Sequence, residues 1–332
     1  MGFSRNSDRV APSRRKVVTA IAGVAAAGMA GCLGDEDGGA NHDGDDRSHN
    51  EEDHTVAAGM PALWDFSRHV AGDYMEVIDL VPTGQHGHDY EPGPGIVQEI
   101  EEAAAFVYMR DFAGWMEDAV VELEDDEDTV VIDASAGIEF FDSPAEDDDE
   151  HWWMDPIECK NGVDNIAEGL AEVDPEHADE FEQNAAAYNE RLDEIHEEFE
   201  ALVDRGTINE IVIGTHDSFQ WWNRRYGIDI YSPIGTSPDA EASARDIEEI
   251  ENLIAEFDIQ HVLYDVGEPA HLAKSLAEET GAEVLPISPV ETQLDGMTEV
   301  GDIEMERDWG YVEHYEEINF PSLEVALQAA QD

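Results

Sequence analysis

The chain has 332 residues, enough for two ordinary domains that each bury a core. Its 81 acidic side chains against 16 basic ones give a formal net charge of −65, which argues against direct binding to nucleic acid or to an anionic membrane surface. The acids are spread between apolar runs along the whole chain, so they read as the surface of a folded protein and not as an acidic tail.

Only three of the basic residues are lysines: Lys16, Lys160 and Lys274. An acid-rich, lysine-poor composition resembles that of extreme halophiles. Molar salt shortens the Debye length to about 3 Å and screens the self-repulsion such a surface suffers in dilute buffer. The two cysteines, Cys32 and Cys159, are too few for a disulfide framework, and Cys159 reads as a small packing residue.

At the start of the chain, Ser13-Arg14-Arg15-Lys16 precedes an uncharged run from Val17 to Gly31. Fifteen residues are too few to span a hydrocarbon core of about 30 Å as a helix, so residues 1–31 read as a signal peptide. The adjacent Arg14 and Arg15 point to the twin-arginine export route. Met29-Ala30-Gly31-Cys32 looks like a lipobox, with Cys32 lipidated as the mature N-terminus. Residues 32–54 are Gly-, Asp- and His-bearing and nearly free of apolar side chains, and they read as a flexible acidic tether. Its His42, His49 and His54 read as solvated.

From Thr55 the pattern becomes α/β. Thr55–Ala58, Met75–Val81, Ala105–Tyr108 and Thr129–Ile132 read as strands, with helices near Pro61–Val70 and Trp115–Leu123. This alternation predicts a mostly parallel sheet covered on both faces, over residues 55–173. Pro175 to Val203 has no glycine or proline after its start and carries apolar residues at helical spacing, which predicts one long linking helix within 174–205. A second α/β lobe follows over 206–332. Its expected strands are Ile211–Ile213, Ile228–Ile230, His261–Tyr264 and Glu283–Leu285. Helices are expected near Ser218–Tyr226, Ser243–Phe257 and Ala270–Glu279, with a last one after Asn319. Two lobes joined by a helix make a cleft, a common ligand site.

In open parallel sheets ligands bind beyond the C-terminal strand ends, and that rule sorts the 13 histidines. His86 and His88 follow the strand ending at Val81, His151 lies in the loop region after Ile132, and His216 follows Ile213. Glu291 follows the strand around Val284-Leu285. Three imidazoles and one carboxylate converging on the cleft would suit tetrahedral zinc; the alternative is a set of separate exposed or capping histidines. His177, His196 and His314 read as helix-surface side chains.

Four motifs add to this reading. Gly87-His88-Asp89-Tyr90-Glu91-Pro92, His151-Trp152-Trp153-Met154-Asp155-Pro156, Thr215-His216-Asp217-Ser218-Phe219 and Ser237-Pro238-Asp239-Ala240-Glu241 together resemble the zinc/manganese-type solute-binding proteins of ABC transporters. The resemblance runs from about Thr55 to Gln331. It implies metal ligation by His88, His151, His216 and Glu291, with zinc as the transported ion and manganese as the alternative. It also implies an ABC permease and its ATPase as partners, a modest tilt on closure, and attachment by lipid to the outer face of the cytoplasmic membrane. The protein would be a monomer in that role. The sequence departs from the family pattern at His86 and in the acidic loop 145–150. Both leave room for an auxiliary contact. Asp265 stands as a supporting group or as a replacement carboxylate for Glu291.

Two other functions compete. A surface metal-storage or adhesion lipoprotein could use the same scaffold. A metal-dependent hydrolase is disfavoured, because His86-Gly87-His88-Asp89 continues with Tyr90 and Glu91 where His-x-His-x-Asp-His would need other residues. No His-Glu-x-x-His helix occurs either. A four-ligand shell also leaves no position at which water could be activated.

The charge makes its own prediction. Circular dichroism across a potassium chloride series should show native signal at molar salt and its loss on dilution. Full native signal in a few tens of millimolar salt would contradict a halophilic surface.

Overall fold

Strands β1 (Thr55–Ala58), β2 (Glu76–Asp79), β3 (Ala105–Tyr108) and β4 (Val130–Asp133) pair in the order β2-β1-β3-β4, every pair parallel. Helices α1 (Pro61–Ala71), α2 (Ile96–Glu101) and α3 (Gly114–Glu122) are the crossovers that parallel pairing demands. This computed structural model describes residues 54–88, 90–123, 128–144, 146–236 and 242–329. The proposed export signal with Arg14 and Arg15, the lipidation site Cys32 and nearly all of the tether lie outside the described residues.

The chain then enters α4 (Pro156–Val173) and α5 (Ala178–Arg205). Asp155 starts α4 by accepting the Ile157 amide at 2.9 Å, and Pro156 occupies the first turn, where its missing N–H costs nothing. Helix α5 has 28 residues and is about 42 Å long at 1.5 Å per residue. Its buried positions, Phe181, Ala185, Tyr188, Leu192, Ile195, Phe199 and Leu202, recur every three or four residues and form one stripe. The first part of that stripe packs on α1 and α4, and Phe199 stacks on Tyr226 and meets Trp222 and Phe320 in the second lobe.

The second sheet repeats the first. Strands β5 (Glu210–Ile213), β6 (Asp229–Tyr231), β7 (His261–Asp265) and β8 (Glu283–Ile287) are ordered β6-β5-β7-β8, again all parallel. Helices α6 (Gln220–Tyr226), α7 (Ala244–Phe257) and α8 (His271–Thr280) cross over. Ser243 caps α7, accepting from the Asp246 amide while the Asp246 carboxylate accepts from the Ser243 amide. Alternation sorts the strand side chains. Ile211, Ile213 and Leu263 join a core continuous with the first lobe, while Val212, Val262 and Tyr264 face α7 and α8.

A short hairpin of β9 (Gly296–Met297) and β10 (Glu304–Met305), the helix α2 and the full extent of α4 were not anticipated from sequence. The C-terminal segment holds α9 (Tyr311–His314), a π-helical turn over Tyr315–Asn319, and α10 (Phe320–Ala326). His314, expected on a helix surface, is fully buried, because it shares the inward face with Tyr311, Tyr315 and Ile318. Cys159 is buried and unpaired, as a packing residue should be. Among the described residues no helix is long and apolar enough to cross a membrane.

The lobes are tied together on the side of α1. Asp65 is buried and accepts from Tyr188 Oη at 2.6 Å, from the Tyr311 amide at 2.9 Å and from Arg68 Nε at 2.8 Å. Arg68 in turn donates to the Asp308 carbonyl at 2.9 Å. Gly310 permits this approach, since a Cβ there would collide with Asp65 Oδ1. Burial alone would raise the Asp65 carboxyl, but His69, Arg68 and Tyr188 outweigh it and hold the group well below the usual carboxylate range.

A depressed folded pKa contributes stability that is present above the unfolded value near 3.9 and is lost as pH falls below it. Asp65→Asn should therefore cost roughly 2–4 kcal/mol at neutral pH. That gap should narrow once pH drops below about 4. Urea unfolding in molar salt at several pH values measures it, and a gap independent of pH would rule out the charge as its source.

Candidate metal centre

Both sheets aim their C-terminal strand ends at one cleft, where the strand order reverses. The loop after β2 delivers His86 and His88, the loop after β4 delivers His151, and β5 ends two residues before Thr215-His216. Asp265 closes β7, and Glu291 stands four residues beyond β8. Backbone bonds close the cleft: the Gly87 amide donates to the Glu291 carbonyl at 3.0 Å, and the Gly84 amide to the Gln293 carbonyl at 2.7 Å. Gly87 leaves no room for a side chain there, because a Cβ would sit 2.9 Å from Phe112 Cζ.

His88, His151, His216 and Glu291 present one ligand atom each, all within 4.8 Å of one another. The Nε2 atoms of His88 and His151 are 3.2 Å apart. Two ring nitrogens this close repel unless a proton or a cation sits with them. Glu291 is completely buried, and neither of its oxygens has a hydrogen-bond partner. Around it lie His88 Nε2 at 3.8 Å, His151 Nε2 at 3.8 Å and His216 Nε2 at 3.6 Å. An ionised carboxylate without donors is costly to bury, and a divalent ion bound to it and to three imidazoles removes that cost. The donor set fits zinc.

Two acidic residues that sequence reasoning did not single out orient the rings. His151 Nδ1 lies 3.0 Å from Asp149 Oδ1, and His216 Nδ1 bonds Glu268 Oε1. With the ring proton on Nδ1 and donated to a carboxylate, each Nε2 keeps its lone pair for a metal. The signal for Glu268 was its place just beyond a strand end; Asp149 was hidden in the acidic run 146–150. His216 Nε2 also meets the Ser218 hydroxyl. His86, read as auxiliary, lies inside the cluster, with its Nε2 3.2 Å from Asp265 Oδ2 and 3.3 Å from Glu291 Oε2.

The electrostatics follow from this crowding. Burial would raise the Glu291 carboxyl, yet His86, His216 and His88 overcome it and hold it far below the normal range. Burial would lower His151, but Asp149, Glu150 and Glu291 lift it to about 9. Burial also disfavours charge on His216, and Glu291 and Glu268 again prevail and raise it. His88 goes the other way, down to about 3, since burial and three neighbouring imidazoles outweigh Glu291. Burial lifts Glu150, which lines the same space, to about 7.

Glu291 is aimed by a strained loop. Val290, β-branched and buried, has φ +60°, a conformation such residues avoid. The bonds that hold it come from both lobes. Asn319 in the π-turn accepts the Ser288 amide at 2.8 Å and donates to the Ser288 carbonyl at 2.9 Å. The Ser288 hydroxyl accepts the Val290 amide at 3.1 Å and donates to His314 Nδ1 at 2.6 Å. From the first lobe, Trp153 Nε1 donates to the Pro289 carbonyl at 2.7 Å.

Two α/β lobes, linked by a long helix and closed over a buried imidazole–carboxylate cluster, are the architecture of a two-lobed binding protein. The chain belongs to the family described as ZnuA, zinc-uptake complex component A, periplasmic, whose profile matches residues 56–302. Zinc-binding protein AdcA of Streptococcus pyogenes serotype M1 is 28% identical over 260 residues, 71% of this chain and 50% of that protein. The chain thus spans about half the length of those curated relatives. The high-affinity zinc uptake system protein ZnuA of Bacillus subtilis (strain 168) is 23% identical over 275 residues, covering 78% of this chain and 83% of that one. The laminin-binding protein of Streptococcus agalactiae has the same fold, with a TM-score of 0.69 at 24% identity over 83% of this chain and 99% of its own.

The Ser288 clamp is testable. Asn319→Ala would leave two buried backbone groups of Ser288 unpaired, and it should cost roughly 2–4 kcal/mol in urea unfolding at molar salt. A loss below about 0.5 kcal/mol would show that the loop is held by other contacts.

Proposed function

We propose that this protein captures zinc outside the cell and delivers it to an ABC permease driven by a separate ATPase. The observation that carries this reading is Glu291, a buried carboxylate whose oxygens have no hydrogen-bond partner and face four Nε2 atoms, those of His86, His88, His151 and His216. His88, His151 and His216 supply neutral nitrogen, Glu291 supplies the charge, and Asp149 and Glu268 keep the rings turned. Four protein ligands fill a tetrahedral shell and leave no place for a hydrolytic water, which suits a receptor and not an enzyme. The zinc-binding descriptions of the AdcA and ZnuA relatives support zinc as cargo.

The remaining assignments belong to the same reading. Residues 1–31 are a twin-arginine signal, residues 32–54 a tether lipidated at Cys32, and 55–173, 174–205 and 206–332 are lobe, linking helix and lobe. A relative in Streptococcus pneumoniae is described as a zinc-binding lipoprotein, which supports anchoring by lipid to the outer face of the cytoplasmic membrane. The relatives named here are bacterial, so the halophilic reading rests on composition alone: the charge of −65 and three lysines. Adhesion is the alternative role, and the S. agalactiae neighbour is described as bifunctional, with adhesin and metal transporting activity.

Titration of zinc and manganese into the metal-free chain at molar salt tests the cargo. Zinc should bind the tighter of the two, because imidazole suits zinc and manganese prefers oxygen. His216→Ala should weaken zinc by roughly a hundredfold, and His216→Glu should narrow the zinc–manganese gap. Wild-type zinc affinity in His216→Ala, or a clear preference of the wild type for manganese, would end this reading.

A further inference from the structure

The cluster holds more donors than one zinc can use. Beside the set described above, His86, His216, Asp265 and Glu268 also bring one ligand atom each within 4.8 Å of one another. His86 and Asp265 are buried, and His86 Nε2 lies 3.2 Å from Asp265 Oδ2. The other ring nitrogen of His86 is buried without a partner. Glu291 Oε2, itself without a hydrogen-bond partner, lies 3.3 Å from His86 Nε2 and borders both sets. The first set offers three nitrogens and one oxygen, the second two of each.

His216 belongs to both. Its Nε2 faces Glu291 at 3.6 Å, while its Nδ1 bonds Glu268. A neutral imidazole has one lone pair, so the ring can serve one set at a time. With the proton on Nδ1 and given to Glu268, Nε2 is free for the first set. With the proton on Nε2, Nδ1 is free for the second, and Glu268 changes from hydrogen-bond acceptor to ligand.

We propose that this chain carries two overlapping, mutually exclusive cation positions sharing His216: His88, His151, His216 and Glu291 for zinc, and His86, His216, Asp265 and Glu268 for a harder divalent cation such as manganese. This deepens the zinc reading and rests on it. The oxygen share of the second set is what favours the harder ion. The carboxylates divide the same way: Glu291 is the one oxygen donor of the first set, whereas Asp265 and the half-buried Glu268 both belong to the second.

The test uses the full chain, stripped of metal, in molar salt. Zinc is followed by calorimetry and manganese by loss of the free-ion electron paramagnetic resonance signal. The wild type should bind one equivalent of either ion, and zinc should displace all the manganese. Asp265→Asn, whose remaining oxygen can still accept the Gly267 amide now bonded to Asp265 Oδ1 at 2.8 Å, keeps the local backbone bond. It should weaken manganese roughly tenfold or more, and by a larger factor than zinc. His88→Ala should do the reverse, and His216→Ala should weaken both. Near-UV circular dichroism establishes that each variant is folded. Manganese that falls with His88→Ala and ignores Asp265→Asn would overturn the second position. Simultaneous binding of one zinc and one manganese would overturn the exclusivity. Unchanged zinc binding in His88→Ala would instead refute the zinc site itself, so the two failures are told apart.

Discussion

A fully buried carboxylate faced by imidazoles on several sides is what this cleft is arranged around. Glu291 has lost water on every side and gains no hydrogen bond in return. In a protein interior such a group either takes up a proton or sits with positive charge, and here the ring of imidazoles holds it ionised. That demand fits donors coming from four separate strand ends and acids one layer out contacting the far side of the His151 and His216 rings. Asp149 and Glu268 do little for Glu291 directly; they decide which nitrogen each histidine offers it.

A cluster of this kind keeps its spacing only if the backbone under it is stiff. The stiffness comes from cross-lobe bonds that run through ordinary packing residues. Trp222 Nε1 donates to the Met154 carbonyl at 2.8 Å, Trp221 Nε1 to the Asp149 carbonyl at 3.2 Å, and Arg225 pairs with Asp155 at 2.7 Å. Three side chains of α6 thus grip the loop carrying His151. On the opposite side, Asp65 joins α1, α5 and the start of α9. With α5 packed against both lobes, wide hinge opening would break a continuous core, whereas a small tilt would loosen the backbone bonds at Gly84 and Gly87.

The architecture was readable because periodicity is strong in the long elements. Helix α5 is long enough for apolar spacing to outvote local noise, the short parallel strands stood out as apolar runs bounded by turn residues, and the ends differed by a few residues, Pro175 against Ala178 at the start of α5. The four principal site residues were readable for a different reason: each lies in the loop beyond a strand's C-terminal end, His216 close to β5 and His151 far along the loop after β4. Short elements were lost. Helix α2 has six residues and β9 and β10 two each, too few for a period to show. His314 was misplaced because its charged neighbours Glu313, Glu316 and Glu317 suggest a surface, although Tyr311, Tyr315 and Ile318 mark the buried face it shares. Asp149 could not be told from its acidic neighbours without the Phe141–Asp149 bridge that turns it inward.

The acidic surface and the acidic centre obey opposite rules. Outside, molar salt would screen the carboxylates within about 3 Å. Inside, salt does not reach, and each carboxylate must find its own partner: His151 for Asp149, His216 for Glu268, His86 for Asp265. Glu291 shares three of the same rings and owns none of their Nδ1 protons. It is the residue whose needs the protein alone satisfies least well, and a divalent cation satisfies them best. The imbalance left at Glu291 is what makes the cluster a fit for a divalent cation.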